Sequence, residues 1–334
     1  MTIKDLAAMT GYAVGTVSRV LNNHPSVSEK ARQAILKAVE ESGFELNANA
    51  KQLKQQHANT VLVVVKGMGN ELFAEMLEHI QAKISNTSHP LVVDYIDEGA
   101  DEVRRAIRLC KEKKPRGIVF LGGDSENFRN QFAQLEIPCV LITNDASSLP
   151  FDNLSSVSTD DREAARRGAE ALIALGHRKI AVLGGYLGMS DISQLRLQGC
   201  RQTFEAHGLD FELERDYRTV RFSCQEGYRA TMELLEQGNN YTAIFAAADV
   251  VAIGAIRALG DKGLRVPEDV SVMGVDGLPM GDFLIPRLAT VSQNVRAMAD
   301  RGTEILLDMI ENGSPRRHET IPFRVEEKES IGKI

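Results

Sequence analysis

Residues 9–22 read Met9-Thr-Gly11-Tyr-Ala13-Val14-Gly15-Thr16-Val17-Ser18-Arg19-Val20-Leu21-Asn22, a short turn followed by a helix with two unlike faces. Val17, Val20 and Leu21 fall on one side, while Gly15, Ser18, Arg19 and Asn22 recur at i, i+3, i+4 and i+7 on the other. Upstream, Ile3, Leu6 and Ala7 form an apolar stripe behind Thr2, a good helix cap, and this first helix ends near Thr10-Gly11. Downstream, a third helix begins after Ser28, buries Ala31, Ala34, Ile35, Ala38 and Val39, and stops at Gly43. Two helices joined by a short glycine-containing turn and braced by a third are the plan of a helix-turn-helix. The polar face of the second helix offers hydroxyl and amide groups for phosphates and an arginine able to fork onto guanine. Gly15 costs the helix about 1 kcal/mol relative to alanine, a cost that close approach to DNA would explain. Composition alone equally allows an ordinary solvated face.

From Thr60 the texture changes. Short apolar runs at Val61–Val65, Leu91–Ile96, Gly117–Leu121, Pro138–Thr143, Lys179–Gly184, Ala243–Ala247 and Val270–Val275 alternate with helical stretches such as Phe73, Met76, Leu77, Ile80, Ile84. Buried parallel strands separated by amphipathic helices predict a doubly wound α/β architecture. There are too many units for one sheet, so the pattern predicts two similar lobes with a ligand between them, at the carboxyl ends of the strands. The expected organisation is an all-α helix-turn-helix head over residues 1–46, a polar linker over 47–58, and a two-lobed α/β body over 59–334.

The chain has 334 residues, 43% of them hydrophobic and 25% charged, the balance of an ordinary globular protein. It opens directly on a helix pattern, without the basic and apolar regions of a secretory leader, and no run reaches membrane-spanning length, so a cytoplasmic location and no membrane partner are expected. Cys110, Cys139, Cys200 and Cys224 are widely spaced and are expected as buried small hydrophobes in a reducing compartment. The net charge is −7, but residues 1–57 carry seven Lys/Arg against five acids, a balance of +2 that leaves −9 on the remainder. A mildly basic head on an acidic body suits nucleic-acid contact confined to one end, although a surplus of two charges alone does not establish it. Seven scattered histidines form no catalytic or metal-binding constellation, and neither Gly122-Gly123 nor Gly184-Gly185 leads into the Gly-Lys-Ser/Thr of a phosphate loop. No enzyme activity, catalytic residue, metal or cofactor is expected.

Thr2-Ile-Lys-Asp-Leu-Ala7, Thr16-Val-Ser-Arg-Val-Leu-Asn22, Val27-Ser28 and Gly43-Phe44, taken in order and spacing, resemble the head of the LacI/GalR (lactose-repressor-like) family of transcription regulators. Asn47-x-x-Ala50-Lys51-x-Leu53 is similar to its hinge helix. The likeness continues through Leu175-Gly-His-Arg-Lys-Ile180, Arg196-Leu-x-Gly199, Asp249-x-x-Ala-x-Gly254, Gly263-Leu-Arg-Val-Pro-Glu-Asp269 and Val275-Asp276. The resemblance implies that Val14, Gly15 and Arg19 read bases, that Thr16, Ser18 and Asn22 contact phosphates, and that Asn47, Ala50, Lys51 and Leu53 belong to a minor-groove hinge in which Leu53 wedges a base step. Leu53 packed on the body is the alternative. Ala13 and Leu46 depart from the family's usual serine and proline. A head this small reads few bases, so a homodimer on a pseudo-palindromic operator is implied.

For the body, the resemblance implies a small-molecule effector, a carbohydrate by family frequency, held by Arg196 and Asp276; Phe73, at the start of the first lobe's first helix, is expected as a stacking wall. An interlobe salt bridge is the plainer role for the charged pair. Asp249 stands where it contacts ligand or caps its own helix. Ala248 and Gly277 lack polar groups that relatives offer, and Lys66, ending a strand at the cleft, either attracts an anion or reaches for solvent. The function read from the whole is an effector-controlled transcriptional repressor. A solute receptor without a DNA role and an activator of the same family are the alternatives.

Overall fold

The computed structural model describes residues 3–21, 27–42, 59–67, 69–188, 191–238 and 240–334 in two compact units, residues 1–56 and 57–334. The first unit holds α1 (Ile3–Thr10), α2 (Val14–Leu21) and α3 (Glu29–Ser42). Leu6, Ala7, Val17, Val20 and Ile35 form its core, with Tyr12, Leu21, Val27, Ala38 and Val39 packed around them. Gly11 takes a positive φ of 70° and donates its N–H to Ala7 O, closing α1 with a left-handed residue that costs glycine little. Ser28 accepts from Ala31 N at 3.4 Å as the cap of α3. Ala34, expected inside, is exposed, because only Ala31 and Ile35 turn far enough toward the small core. Thr2 and Gly43 lie outside the described residues.

The second unit runs β1 (Val61–Lys66), α4 (Glu71–Ile84), β2 (Leu91–Ile96), α5 (Glu102–Lys113), β3 (Gly117–Leu121), α6 (Ser125–Gln131), β4 (Cys139–Thr143) and β5 (Leu154–Ser158). There follow α7 (Asp161–Ala174), β6 (Ile180–Gly184), α8 (Asp191–Ala206), α9 (Leu213–Asp216), β7 (Tyr217–Thr219), α10 (Cys224–Glu236), β8 (Ala243–Ala246), α11 (Asp249–Asp261), β9 (Ser271–Asp276) and β10 (Ala289–Ser292). The chain ends through α12 (Val295–Asn312), β11 (His318–Thr320) and β12 (Arg324–Glu326). Two six-stranded sheets result, ordered β11-β5-β4-β3-β1-β2 and β12-β10-β9-β8-β6-β7. Every pairing is parallel except β10 with β12. The chain therefore passes between the sheets after Ser158, after Ser292 and after Thr320.

All of Val61–Val65 is buried because both faces of β1 are covered: Val61, Val63 and Val65 meet Met76 and Ile80, while Leu62 and Val64 meet Val103 and Phe120. Each apolar run named above is a strand, whereas β5, β7, β10, β11 and β12 have no counterpart in the sequence pattern. In β5 the reason is chemical. Ser155 and Ser156 are buried without cost because they accept from Arg317 N at 3.0 Å and Ala146 N at 3.0 Å, so a core strand carries a polar sequence. The cysteines also differ from expectation: Cys139 and Cys200 are buried, Cys110 is half-buried and Cys224 is exposed.

The helices start on short polar side chains left at the ends of strands. Asn70 accepts from Leu72 N, Asp101 from Arg104 N, Asp124 from Glu126 N and Asp160 from Glu163 N, at 2.8–3.1 Å. Gly199 and Gly254, part of the sequence motifs, permit close helix packing. A Cβ on Gly199 of α8 would sit 2.2 Å from Arg162 O, and one on Gly254 of α11 only 2.0 Å from Cys224 O. No helix among the described residues is long and apolar enough to cross a membrane.

Candidate functional site

In the head, Val14, Gly15 and Arg19 are exposed and Thr16 is half-buried, while Val17 and Val20 face the core. α2 thus presents one face to solvent. A Cβ on Gly15 would meet no atom within 4 Å, so packing inside the head does not require glycine there. Ala13 accepts from Thr16 N and Val17 N through its carbonyl but brings no side-chain cap. The side chain of Ser18, and Asn22, Asn47, Ala50, Lys51 and Leu53 entirely, lie outside the described residues.

In the body, the carboxyl ends of the two sheets enclose a cavity of about 420 Å³, of the size that takes a small molecule. Phe73, Asn144 and Lys66 wall it from the first lobe, and Arg196, Asp276 and Gln293 from the second lobe and its crossing. The backbone is strained at this rim. Thr143 and Asp276 both close strands at positive φ, 89° and 126°, a conformation that side chains with a Cβ rarely adopt and that tends to mark functional sites. Gly122, at φ 76°, leaves room for Phe73, whose ring lies 3.0 Å from where a Cβ would stand.

Arg196, on α8, is 5% exposed and ringed by carboxylates. Its Nε donates to Asp161 Oδ1 at 2.7 Å, Nη1 donates to Ala247 O, and Nη1 lies 3.8 Å from Asp276 Oδ1. Burial works against the guanidinium's charge, but Asp161 and Asp276 more than offset it and raise its pKa. Burial raises the Asp161 carboxyl despite Arg196, and raises Asp276 to about 6 against the pull of Arg196 and the hydrogen bond from Gln293 Nε2 at 2.8 Å. Sequence alone joins Arg196 to Asp276 but misses Asp161, because the strand that delivers it is too polar to stand out.

Asp249 plays neither role expected of it. It does not line the cavity, and the cap position of α11 belongs to Ala248, which supplies no side-chain bond. Its wholly buried carboxylate instead accepts from Gly277 N (2.8 Å), Leu278 N (2.7 Å) and Thr290 Oγ1 (2.7 Å), fixing the turn that follows Asp276. Burial and the Asp276 charge push it up to about 8, against these three donors, which favour the ionised form. Lys66, half-buried, does not stand free: its Nζ lies 2.5 Å from Oε2 of the wholly buried Glu102. Asn144, Glu98 and Gln293 also line the cavity and are absent from the sequence-based set; the ends of β4 and β2 could have flagged Asn144 and Glu98, whereas Gln293 follows β10, which the sequence pattern does not show. Among the described residues no group of three His, Cys, Asp or Glu is placed to hold a metal ion.

The sequence comparisons follow this division. Residues 2–47 match the model of the bacterial regulatory proteins of the lacI family, and residues 169–331 that of a periplasmic binding protein-like domain. The HTH-type transcriptional regulator MalR of Clostridium butyricum is 30% identical over 342 residues, covering all of both chains. The chain belongs to the LacI family of transcriptional regulators. As a LacI-family regulator it is a DNA-binding protein and not an enzyme. Solved structures agree at full length. A lac repressor dimer bound to operator and the anti-inducer ONPF is 25% identical, with a TM-score of 0.72 over 99% of this chain and 98% of that one. The transcriptional regulator CelR in complex with cellobiose is 25% identical, with a TM-score of 0.69 over 99% of each chain.

Proposed function

We propose that this LacI-family regulator is a dimeric repressor whose grip on a pseudo-palindromic operator is changed by a sugar or sugar derivative held between the lobes. Residues 1–46 serve as the head, 47–58 as the hinge and 59–334 as the effector-binding body. The observation that carries the reading is the cavity walled by Phe73, Arg196 and Asp276. A ring face suits the apolar side of a sugar, and a guanidinium beside a carboxylate gives adjacent hydroxyls a donor and an acceptor. The CelR–cellobiose complex supports the sugar class.

In the head, Val14, Gly15 and Arg19 read base edges and Thr16, Ser18 and Asn22 hold phosphates, with Asn47, Ala50, Lys51 and the Leu53 wedge acting in the minor groove. Dimerisation is supported by the lac repressor dimer and by an apolar patch on the second lobe, where Met280 is exposed and Phe283 and Ile285 are 85% and 96% exposed. A single-chain surface seldom leaves such residues together without a partner, and a twofold dimer covers the same patch on both copies.

The test is selection of duplexes from a random pool by the full chain, followed by fluorescence anisotropy with and without sugars. A symmetric site whose affinity moves several-fold with one sugar is expected. No sequence preference, or a preference indifferent to every sugar, would refute the proposal.

A further inference from the structure

We infer that the molecule admitted to the cavity carries no net negative charge, and that Glu98 accepts one of its hydrogen-bond donors. This deepens the effector reading above and rests on it. Three cations among the described residues face the cavity: Lys66, Arg196 and Arg221. Each already has a carboxylate. Lys66 is held 2.5 Å from Glu102, which also accepts from Asp124 N (2.7 Å) and Asn127 Nδ2 (3.1 Å) and so is fixed in place. Arg196 is held by Asp161 and faces Asp276, and Arg221 lies 3.6 Å from Asp97. An anion reaching Lys66 or Arg196 must displace a partner from a buried pair, which leaves that partner's charge uncompensated, whereas Arg221 and Asp97 form an exposed pair at the mouth.

The carboxylates outnumber the cations. Asp97, Glu98 and Asp276 line the cavity with the three cations, and Glu102, Asp161 and Asp249 stand directly behind the wall. Asp249, pushed up to about 8, leaves the count near neutral pH, but five carboxylates still stand against three cations, so the walls repel anions and tolerate neutral or cationic molecules. Glu98 alone of these six carboxylates has neither a hydrogen bond nor an ion pair with another described residue. It is half-buried in the wall next to Asp97. Burial raises its carboxyl above the ordinary value despite the pull of Arg221 and Lys66, so a ligand hydroxyl or ammonium would satisfy an acceptor that the protein leaves open. A neutral polyol meets every other demand as well, since its hydroxyls donate to Glu98 and Asp276 and accept from Arg196 and Asn144.

The experiment is calorimetric titration of the full chain with matched sets: glucose, glucosamine, glucuronate and glucose 6-phosphate; ribose and ribose 5-phosphate; cellobiose and cellobionate. For each sugar that binds, its anionic counterpart is expected to bind at least about tenfold more weakly, equivalent to about 1.4 kcal/mol. Glu98→Gln is expected to narrow that gap to roughly threefold, equivalent to about 0.65 kcal/mol. An anion that binds as tightly as its parent, or a gap that Glu98→Gln leaves unchanged, overturns the inference. If none of these sugars binds, the sugar reading fails and inorganic phosphate decides the charge question. Phosphate is expected to stabilise Glu98→Lys against heat more than it stabilises the wild-type chain at equal ionic strength. Equal or greater stabilisation of the wild type refutes the electronegative cavity.

Discussion

Replacing Arg196 by alanine removes, among the described residues, the cation that stands between three buried carboxylates, and the consequence reaches beyond the cavity. Asp161 loses its 2.7 Å donor and Asp276 its 3.8 Å neighbour, while Ala247 O loses the guanidinium it accepts from. Removing one partner of a buried pair typically costs about 3–5 kcal/mol, against a total stability of roughly 5–15 kcal/mol for a domain. The loss depends on pH in a definite direction. Asp161 and Asp276 already titrate above their ordinary value, Asp276 at about 6, and without Arg196, which lowers both, they rise further. A carboxyl whose pKa is raised by folding disfavours the folded state at high pH and is relieved as pH falls, by about 1.4 kcal/mol for each tenfold gain in proton affinity. Arg196→Ala is therefore expected to lose about 3–5 kcal/mol near pH 8 and to recover roughly 1–2 kcal/mol of it near pH 5. Urea unfolding followed by circular dichroism, with the transition of residues 57–334 resolved, measures both. A variant within about 0.5 kcal/mol of wild type near pH 8, or a loss identical at both pH values, would refute the buried ion cluster. Loss of sugar response in Arg196→Ala is consequently ambiguous, whereas Arg196→Lys keeps the charge and isolates the guanidinium's directional bonds.

Gly254→Ala is expected to lower the unfolding midpoint, costing about 1–3 kcal/mol or more, because a methyl there meets backbone at 2.0 Å and no side-chain rotation relieves it; an unchanged midpoint in differential scanning calorimetry would contradict the close packing of α10 on α11. Arg19→Ala is expected to weaken operator binding by about 1–3 kcal/mol and relax selectivity at one base pair, and equal losses on operator and scrambled DNA in anisotropy would argue against base reading. Phe283→Asp combined with Ile285→Asp is expected to shift sedimentation velocity from dimer to monomer; a persistent dimer would place the interface elsewhere.

Strands buried on both faces are legible in the sequence, because Val61–Val65 and Gly117–Leu121 have no polar residue to hide them. Leu154-Ser-Ser-Val-Ser158 is not, since Ser155 and Ser156 are satisfied by partners such as Arg317 N and His318 far along the chain, and with it goes Asp161, which follows the end of that strand. Short edge strands such as His318–Thr320 lack the length to show a period. At the cavity, Arg196 and Asp276 are legible through resemblance and Phe73 through its place at the start of a helix, and all three line the cavity. Glu102 is illegible because a buried glutamate in the first turn of a helix looks like ordinary dipole compensation; only its distance from Lys66 reveals it. Asp249 misleads for the related reason that the first residue of a helix suggests a local role, while its partners lie 28 to 41 residues away.

Under the proposed function, occupation of the cavity and grip on DNA are linked equilibria. Linkage is reciprocal, so the factor by which a sugar changes operator affinity must equal the factor by which operator changes sugar affinity, with typical couplings of about 5–150-fold. The direct measurement is calorimetric titration of the same sugar into the free protein and into its operator complex, beside anisotropy of operator binding with and without that sugar. The two ratios are expected to agree and to exceed about fivefold. A sugar that binds the free protein and the operator complex with the same affinity would contradict the linkage.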